Sequence, residues 1–170
     1  MSCVLTTGFA LDCKDGVGGI KNIWIIQSSK KGTFTKDVSG SVTAWTPTAN
    51  SLFKYELRKA SSSFETDIMT SQQNGTTFYE TKLAIQLNKM EAYKRNELKL
   101  LAQQLLIIIV LDKNGVYWVL GDSNGMDMTT GKGNSGTAMG DFNGWNIEFT
   151  AQEEDMPAIL SSGVVTSLGL

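Results

Sequence analysis

Apolar and polar residues alternate with a period of two along much of the chain, which predicts β-strands. The alternation runs from Ser51 to Arg58, from Ser63 to Thr70 and from Phe78 to Leu87. By contrast, residues 20–27 carry apolar side chains on both faces and residues 105–111 are apolar throughout, which predicts strands covered on both faces. The pattern as a whole predicts a mainly β (α+β) fold, a sandwich or barrel.

The most extended pattern is a hairpin. The dipeptide Asn74-Gly75 separates two alternating runs, and this combination is a strong short-range hairpin signal. The arms, about eight and twelve residues long, exceed a typical strand of about five or six. One face of the hairpin is apolar and the other polar, so we expect one face to cover a core. The predicted core face carries Phe64, Thr66, Ile68, Tyr79, Leu83, Ile85 and Leu87, and the opposite face carries Glu65, Asp67, Glu80, Lys82 and Gln86.

One helix and two less regular segments are also predicted. Residues 89–104 are good helix formers without Gly or Pro, and Asn88 followed by Glu91 resembles a capping box. Residues 121–140 contain many glycines and are predicted to be a long loop. An N-terminal arm over about residues 1–19 and a C-terminal tail over about residues 151–170, broken by Pro157, complete a single domain spanning residues 1–170.

Composition narrows the chemistry that the chain can perform. The 170 residues include no histidine, which excludes Ser-His-Asp and Cys-His catalysis and zinc sites that need His. Fifteen Lys and Arg against seventeen Asp and Glu give a net charge of −2, which does not favour tight binding of phosphates. Cys3 and Cys13 are expected to be reduced, buried or half-buried thiols. We predict no cofactor, no metal, no catalytic residue and no membrane insertion.

Three motifs with a chemical interpretation are weak. Glu65 and Glu80 could form the carboxylate pair of a glycosidase, but carboxylates are ordinary on a solvated sheet face. Asp122, Asn124 and Asp127 resemble a calcium loop, yet a closing Glu is missing, because Gly133 stands at its position. The glycines of residues 131–136 do not have the order of a phosphate-binding loop. The simpler explanations are a solvated face and loop polarity.

The order of elements resembles the tail tube proteins of tailed bacteriophages. The hairpin over residues 63–87, the helix that follows it and the closing segment GDFNGWNIEFTAQEEDMPA carry this resemblance. The opening SCVLTTGFALDCKDGVGGIKNIWI is similar to structural proteins of phages that infect Bacteroidetes. In that family a β-sandwich is flanked by a helix, and long hairpins from six subunits form a ring around a channel.

The resemblance implies a non-enzymatic structural subunit. Its rings would stack into a tube for DNA passage and contact other tail proteins, and the protein would be made in the host cytoplasm and end in the virion. Another virion assembly role (terminator, connector or injection needle) and a β-sandwich binding module are the alternatives. The implied lumen-facing residues are Glu65, Asp67, Glu80, Lys82 and Gln86; the implied inter-subunit hairpin residues are Ser63, Phe64, Asn74, Gly75, Phe78 and Tyr79; the implied ring-to-ring loop residues are Asp122, Asn124, Asp127 and Lys132. The C-terminal tail is expected to join the ring-to-ring contacts.

Overall fold

Strands dominate the structure. A computed structural model of the chain describes residues 7–11, 13–48 and 51–170. A single 3-10 turn, Ser28–Lys30, joins the first two strands. In chain order the strands and helices are β1 (Ile20–Gln27), β2 (Thr33–Lys36), β3 (Ser41–Thr46), β4 (Phe53–Glu56), β5 (Ser63–Ser71), β6 (Thr76–Asn88), α1 (Ala92–Leu101), β7 (Leu106–Asp112), β8 (Tyr117–Leu120), β9 (Asp127–Asn134), β10 (Gly144–Glu153), β11 (Ala158–Leu160) and α2 (Ser162–Leu168).

Two sheets pack face to face. Sheet A has seven strands in the order β2-β3-β11-β8-β7-β1-β4, and sheet B has four in the order β5-β6-β10-β9. Alternate residues of both sheets point into the space between them, and each large apolar side chain buried there stabilises the fold by roughly 1.5–3 kcal/mol. The mainly β sandwich with a flanking helix is therefore confirmed. The inner core includes Ile23, Ile25, Leu83, Ile85, Ile108, Val110, Ile147 and Phe149.

The strand predicted from the apolar run at 105–111 is buried on both faces. Ile108 and Val110 of β7 face sheet B, while Ile107 and Ile109 face the opposite side of sheet A. That opposite side carries a second apolar layer, which α2 covers with Val164. A strand in the middle of three layers needs apolar side chains at every position, which explains why the run does not alternate.

The segment after β10 is not a free tail, which corrects the expectation for residues 151–170. β10 continues to Glu153, and β11 then lies between β3 and β8, parallel to β3 and antiparallel to β8. The slot between these two strands supplies partners for the backbone of β11, and Ala158 and Leu160 are buried in the second apolar layer. Most of the C-terminal apolar side chains are therefore used inside the molecule.

The long loop predicted at 121–140 is wrong in its middle part. Residues 127–134 form β9, an edge strand of sheet B that pairs with β10. The glycine-rich side-chain pattern of this segment does not predict a strand, and the segment is extended because its backbone pairs with β10. Gly144, the first residue of β10, lies so close to β6 that a Cβ atom at this position would be 2.1 Å from the carbonyl oxygen of Leu87.

The flanking helix is shorter than predicted. α1 spans Ala92–Leu101 and is preceded by Glu91, whose side chain makes no capping hydrogen bond, so the predicted capping box is not formed. Lys89 has a positive φ of 64°, and this turn removes residues 89–91 from the helix. Leu98 and Leu101 are buried in the inner core, so α1 closes one flank of the sandwich. Among the described helices, none is long and apolar enough to cross a membrane.

The described N-terminal residues before β1 belong to no strand or helix. Residues 7–11 and 13–18 are exposed at every position. Asn114, in the turn between β7 and β8, holds the end of this segment with two hydrogen bonds of 2.9 Å, one from the N–H of Val17 and one to its carbonyl oxygen. Cys13 is exposed, so the prediction of a buried thiol is wrong for this residue, and Cys3 lies outside the described residues.

Candidate functional site

The outward face of sheet B is a continuous polar surface, referred to below as the polar face. Residues paired directly across an antiparallel ladder point to the same side of the sheet. The pairing of β6 with β5 and β10, and of β10 with β9, therefore places one set of side chains together on this side, and each of them is exposed or half-buried. The polar face contains Ser63, Glu65, Asp67, Glu80, Lys82, Ala84, Gln86, Asp127, Thr130, Lys132, Asn146, Glu148, Thr150 and Gln152. Beyond it, at the end of the hairpin, the apolar pair Met69 and Phe78 lies on the same side of the sheet.

The structure brings together all five residues that the sequence assigned to the outward face of the hairpin. Glu65 pairs with Lys82 and Asp67 pairs with Glu80, while Gln86 lies further along β6 on the same side. The neighbouring strands β9 and β10 add Asp127 and Glu148 as acids and Lys132 as a base. Five carboxylates against two ammonium groups make the surface acidic.

The charges on this face are organised around Lys82. Its ammonium lies 2.9 Å from Oε2 of Glu80 and 3.3 Å from Oδ2 of Asp67. A hydrogen bond of 3.0 Å from Gln152 to Oε1 of Glu80 lowers the pKa of Glu80, and the contact with Lys82 lowers it further. The same two carboxylates raise the pKa of Lys82. Like charges directly opposite on a ladder repel, so Lys82 is what allows Asp67 and Glu80 to be neighbours.

Neutral side chains join the strands of the polar face as well. Nε2 of Gln86 donates to Oδ1 of Asn146 at 2.8 Å, from β6 to β10. The hydroxyl groups of Thr129 and Thr150 lie 3.3 Å apart, from β9 to β10. These contacts link the side chains of β6 to those of β10 and the side chains of β10 to those of β9, which stabilises the arrangement of the polar face.

The opposite face of the hairpin covers the core over most of its length. Leu83 and Ile85 are fully buried, Phe64 and Leu87 pack against the same cluster, and the hydroxyl of Thr66 lies 3.0 Å from that of the buried Thr81. Ile68 is on this side but is 56% exposed, because it lies near the end of the hairpin, where no core remains beneath it.

The hairpin extends beyond the rest of sheet B. The ladder with β10 reaches only Tyr79, whereas the ladder with β5 continues to Thr76, and the turn follows at residues 72–75. The loop has four residues and not the two of an Asn-Gly turn: Gly75, with φ of 63°, takes the left-handed conformation at its end, and Asn74 does not. The hairpin is confirmed, and its protruding end exposes three large apolar side chains, those of Ile68, Met69 and Phe78.

Both edges of sheet B are open. β5 is bonded to β6 alone and β9 to β10 alone within the described residues. A strand with one unpaired row of N–H and C=O groups can add a strand from another chain. Ser63, Phe64, Asn74, Gly75, Phe78 and Tyr79 all lie on the hairpin that includes the β5 edge, as the sequence analysis placed them.

The four predicted ring-to-ring residues do not share one environment. Asp127 and Lys132 are exposed on β9, and Asn124 is exposed in the preceding turn, where its side chain donates to the carbonyl of Gln152 at 2.7 Å. Asp122 is only 2% exposed, and its Oδ2 lies 2.6 Å from the ammonium of Lys36. Its placement on an exposed contact surface is therefore wrong, because the carboxylate is used in a buried ion pair.

Sequence reasoning also missed the acid beside this ion pair. Glu153 is 4% exposed, and its Oε1 accepts hydrogen bonds from the N–H groups of Ser123 and Asn124 at 2.8 and 3.1 Å. Burial raises the pKa of Glu153, and the charge of Asp122 raises it further. The hydrogen bonds from the two N–H groups lower it, but by less, so the pKa of Glu153 is raised. Burial lowers the pKa of Lys36, but the hydrogen bond and charge of Asp122 outweigh it, so the pKa of Lys36 is raised.

The geometry gives little support to the alternative chemistries. Glu65 faces Lys82, and Glu80 has a lowered pKa, whereas a glycosidase acid needs a raised one. Asp122 turns away from Asn124 and Asp127 toward Lys36, and the described part of the chain contains no cluster of three or more potential metal-binding side chains of His, Cys, Asp or Glu.

Comparison with known proteins adds no family to this picture. Neither the protein-family models, nor the curated proteins, nor the solved structures contain a match to this chain.

Proposed function

We propose that the chain is a structural subunit that assembles through the edges of sheet B into rings, and that the rings stack into the tail tube of a bacteriophage. The observation that carries the proposal is a sheet with one face in the core, an acidic polar face on the other side and two open edges. Such a sheet is incomplete in one molecule and is completed by copies of itself.

The number of strands in sheet B favours a closed ring. All its ladders are antiparallel, so the edge strands β5 and β9 of a four-stranded sheet run in opposite directions. When copies are related by rotation, β5 of one molecule meets β9 of the next in antiparallel orientation. The same contact repeats at every junction, as a heterologous ring interface requires. The barrel that results has no free edges.

A ring of six copies has a plausible bore. It would contain 24 strands, and strands spaced about 4.8 Å apart give a circumference of about 115 Å and a backbone diameter of about 37 Å before any strand tilt. Tilt widens the barrel further. With the inner core covered by sheet A, the polar face would line the channel. Its excess of acids would repel the phosphates of passing DNA, so that the duplex would slide without binding.

Other assembly roles use the same surface. A terminator, a connector or an injection needle would also need closed rings built on sheet B. A binding module would instead need a recognition site with aromatic side chains on loops. The loop over residues 135–143, with the fully exposed Met139, contains only Phe142 as an aromatic residue.

An edge-blocking variant tests the proposal. Ile68→Lys puts a charge on the protruding end of β5, and a lysine on an edge strand opposes pairing with another chain. Thr43→Lys, at an exposed position of β3 in the other sheet, is the matched control. In sedimentation velocity we expect large assemblies for the wild type and the control, and small species for the Ile68 variant. Equal assembly of all three proteins would contradict the proposal.

A further inference from the structure

A groove opens between sheet A and α1 at the flank of the sandwich. β4 is an edge strand of sheet A on this flank. The groove has a volume of about 840 Å³ and is lined by β4, the end of β6 and α1. A hydrogen bond of 3.1 Å from the hydroxyl of Tyr55 to Oε1 of Glu97 joins β4 to α1.

The groove is lined by apolar side chains together with the charged side chains of Lys54, Glu56, Arg58, Lys94 and Glu97. Phe53 on β4 is 55% exposed and Tyr93 on α1 is 67% exposed, and Leu57 and Leu87 also line the groove. Phe53 and Tyr55 are two residues apart on one strand and therefore point to the same side, with Leu57 following at the same spacing. Among the described residues β4 pairs with β1 alone, so its other edge presents a row of backbone groups without a partner strand along this wall. Such a groove fits an extended segment with apolar side chains at alternate positions.

The chain itself contains such a segment at its N-terminal end. Phe9 and Leu11 are two residues apart, so that in an extended strand they share one side, and both side chains are fully exposed. Asn114 fixes this part of the chain at Val17, and the eight residues back to Phe9 can span up to about 28 Å. The segment can therefore extend well beyond the surface of its own molecule.

We infer that the segment containing Phe9 and Leu11 binds in the groove between β4 and α1 of a second copy. In the part of the molecule that the structure describes, both surfaces are open, since Phe9 and Leu11 are fully exposed and Phe53 and Tyr93 are more than half exposed. Residues 151–170, which were expected to supply contacts between copies, are folded onto sheet A, whereas Phe9 and Leu11 are exposed. The junction uses none of the edge residues of sheet B.

The inference deepens the proposed function, and rests on it only in taking the acceptor to be another copy of the same chain. Two aromatic or aliphatic anchors bury a small area, which makes a single junction weak. In a stack of rings the junction would be repeated around each ring, and repetition of weak contacts gives a strong connection.

The test uses full-length chains that carry Ile68→Lys, which removes pairing through β5. In this background the arm variant is Phe9→Ser with Leu11→Ser, and the groove variant is Phe53→Glu. The control is Val38→Ser, which removes another fully exposed apolar side chain. We expect the background and control proteins to form small, weakly associated oligomers in sedimentation equilibrium at high protein concentration. The arm variant and the groove variant should each associate at least about a hundredfold more weakly.

Mixing the two variants separates binding between copies from binding within one copy. The groove variant keeps an intact arm and the arm variant keeps an intact groove, so an equimolar mixture should form complexes of one copy of each. Tyr93→Glu, on the exposed side of α1, replaces Phe53→Glu if far-UV circular dichroism shows that the latter is unfolded.

A mixture that stays monomeric, or an arm variant that associates like the control, would overturn the inference. Both results are independent of ring closure, which is judged from proteins without the Ile68 substitution.

Discussion

Lys82 and Glu80 lie on the same side of β6, and the ammonium of Lys82 is 2.9 Å from Oε2 of Glu80. Asp67 of β5 is directly opposite Glu80 and is also within reach of Lys82. Lys82 thus forms ion pairs with two acids at the centre of the hairpin. The polar face remains acidic as a whole, but the charge of Lys82 reduces the repulsion between Asp67 and Glu80.

Replacement of Lys82 should change the titration of its neighbour. In Lys82→Met we expect the pKa of Glu80 to rise but to stay below its ordinary value, because Gln152, the larger cause of the lowered pKa, remains. A lowered pKa stabilises the fold above the ordinary pKa of the acid, and this contribution is lost as the pH falls through the lowered pKa. The variant should therefore lose less stability on acidification than the wild type does.

NMR titration of the carboxyl carbon of Glu80 measures this shift. Lys54→Met is the matched control, since Lys54 also lies beside a glutamate on an exposed strand, 3.5 Å from Oε1 of Glu56. An unchanged titration of Glu80 in the Lys82 variant would show that the ion pair does not exist in solution.

Glu153 should give the opposite dependence on pH. Its pKa is raised, mainly by burial, so the folded protein binds its proton more tightly than the unfolded chain does. This contribution to stability is complete below the unfolded pKa, near 4.5, and is lost as the pH rises through the raised folded value. In Glu153→Gln the loss disappears, while the amide oxygen can still accept from Ser123 and Asn124.

Thermal unfolding as a function of pH provides the measurement. We expect the melting temperature of the Glu153 variant, relative to wild type, to increase from about pH 4.5 to neutrality. Asp122→Asn is the informative comparison, because it leaves the ammonium of Lys36 without its closest acid and should cost about 1–3 kcal/mol at neutral pH. Parallel pH profiles for wild type and the Glu153 variant would contradict the assignment.

The two sides of β10 should respond differently to truncation. Phe149 is fully buried in the inner core, and Phe149→Ala should destabilise the protein by about 3–5 kcal/mol through lost burial and the cavity left behind. Its neighbour Glu148 lies on the polar face, and Glu148→Ala should leave the free energy of unfolding almost unchanged. Urea denaturation distinguishes these outcomes, and similar losses for both variants would mean that the polar face is covered in the isolated molecule.

The hairpin and the faces of its strands could be predicted from the sequence, because alternation with a period of two depends on local pattern alone. Leu83 and Glu80 are assigned to opposite sides by that pattern, and the pairing with β10 confirms it. The strand β9 could not be predicted, since Gly131 and Gly133 contribute no side chains and the strand depends on its partner.

Ion pairs between residues far apart in the sequence could not be predicted from a local pattern either. Asp122 in a glycine-rich segment is typical of an exposed turn, and only the fold brings Lys36, 86 positions earlier in the sequence, to within 2.6 Å of it. The C-terminal strand β11 was missed for a similar reason. It has only three residues and forms because β3 and β8 leave a slot between them.

Assembly should change the protection of the strands at the edges of sheet B. In small species the outward N–H groups of β5 and β9 have no partner strand among the described residues, so we expect them to exchange rapidly with deuterium. In assemblies these strands should become protected. β2, at the edge of sheet A, is the internal control and should exchange at the same rate in both states. Protection confined to α1 and β4 would point to association that does not use sheet B.

Electron microscopy of the purified protein in negative stain tests the central claim most directly. We expect rings or filaments with a stain-filled centre, and cross-section averages with six-fold symmetry and a bore wide enough for duplex DNA. Ile68→Lys should abolish them, and Thr43→Lys should not. Particles that remain solid and monomeric at high protein concentration would contradict the account.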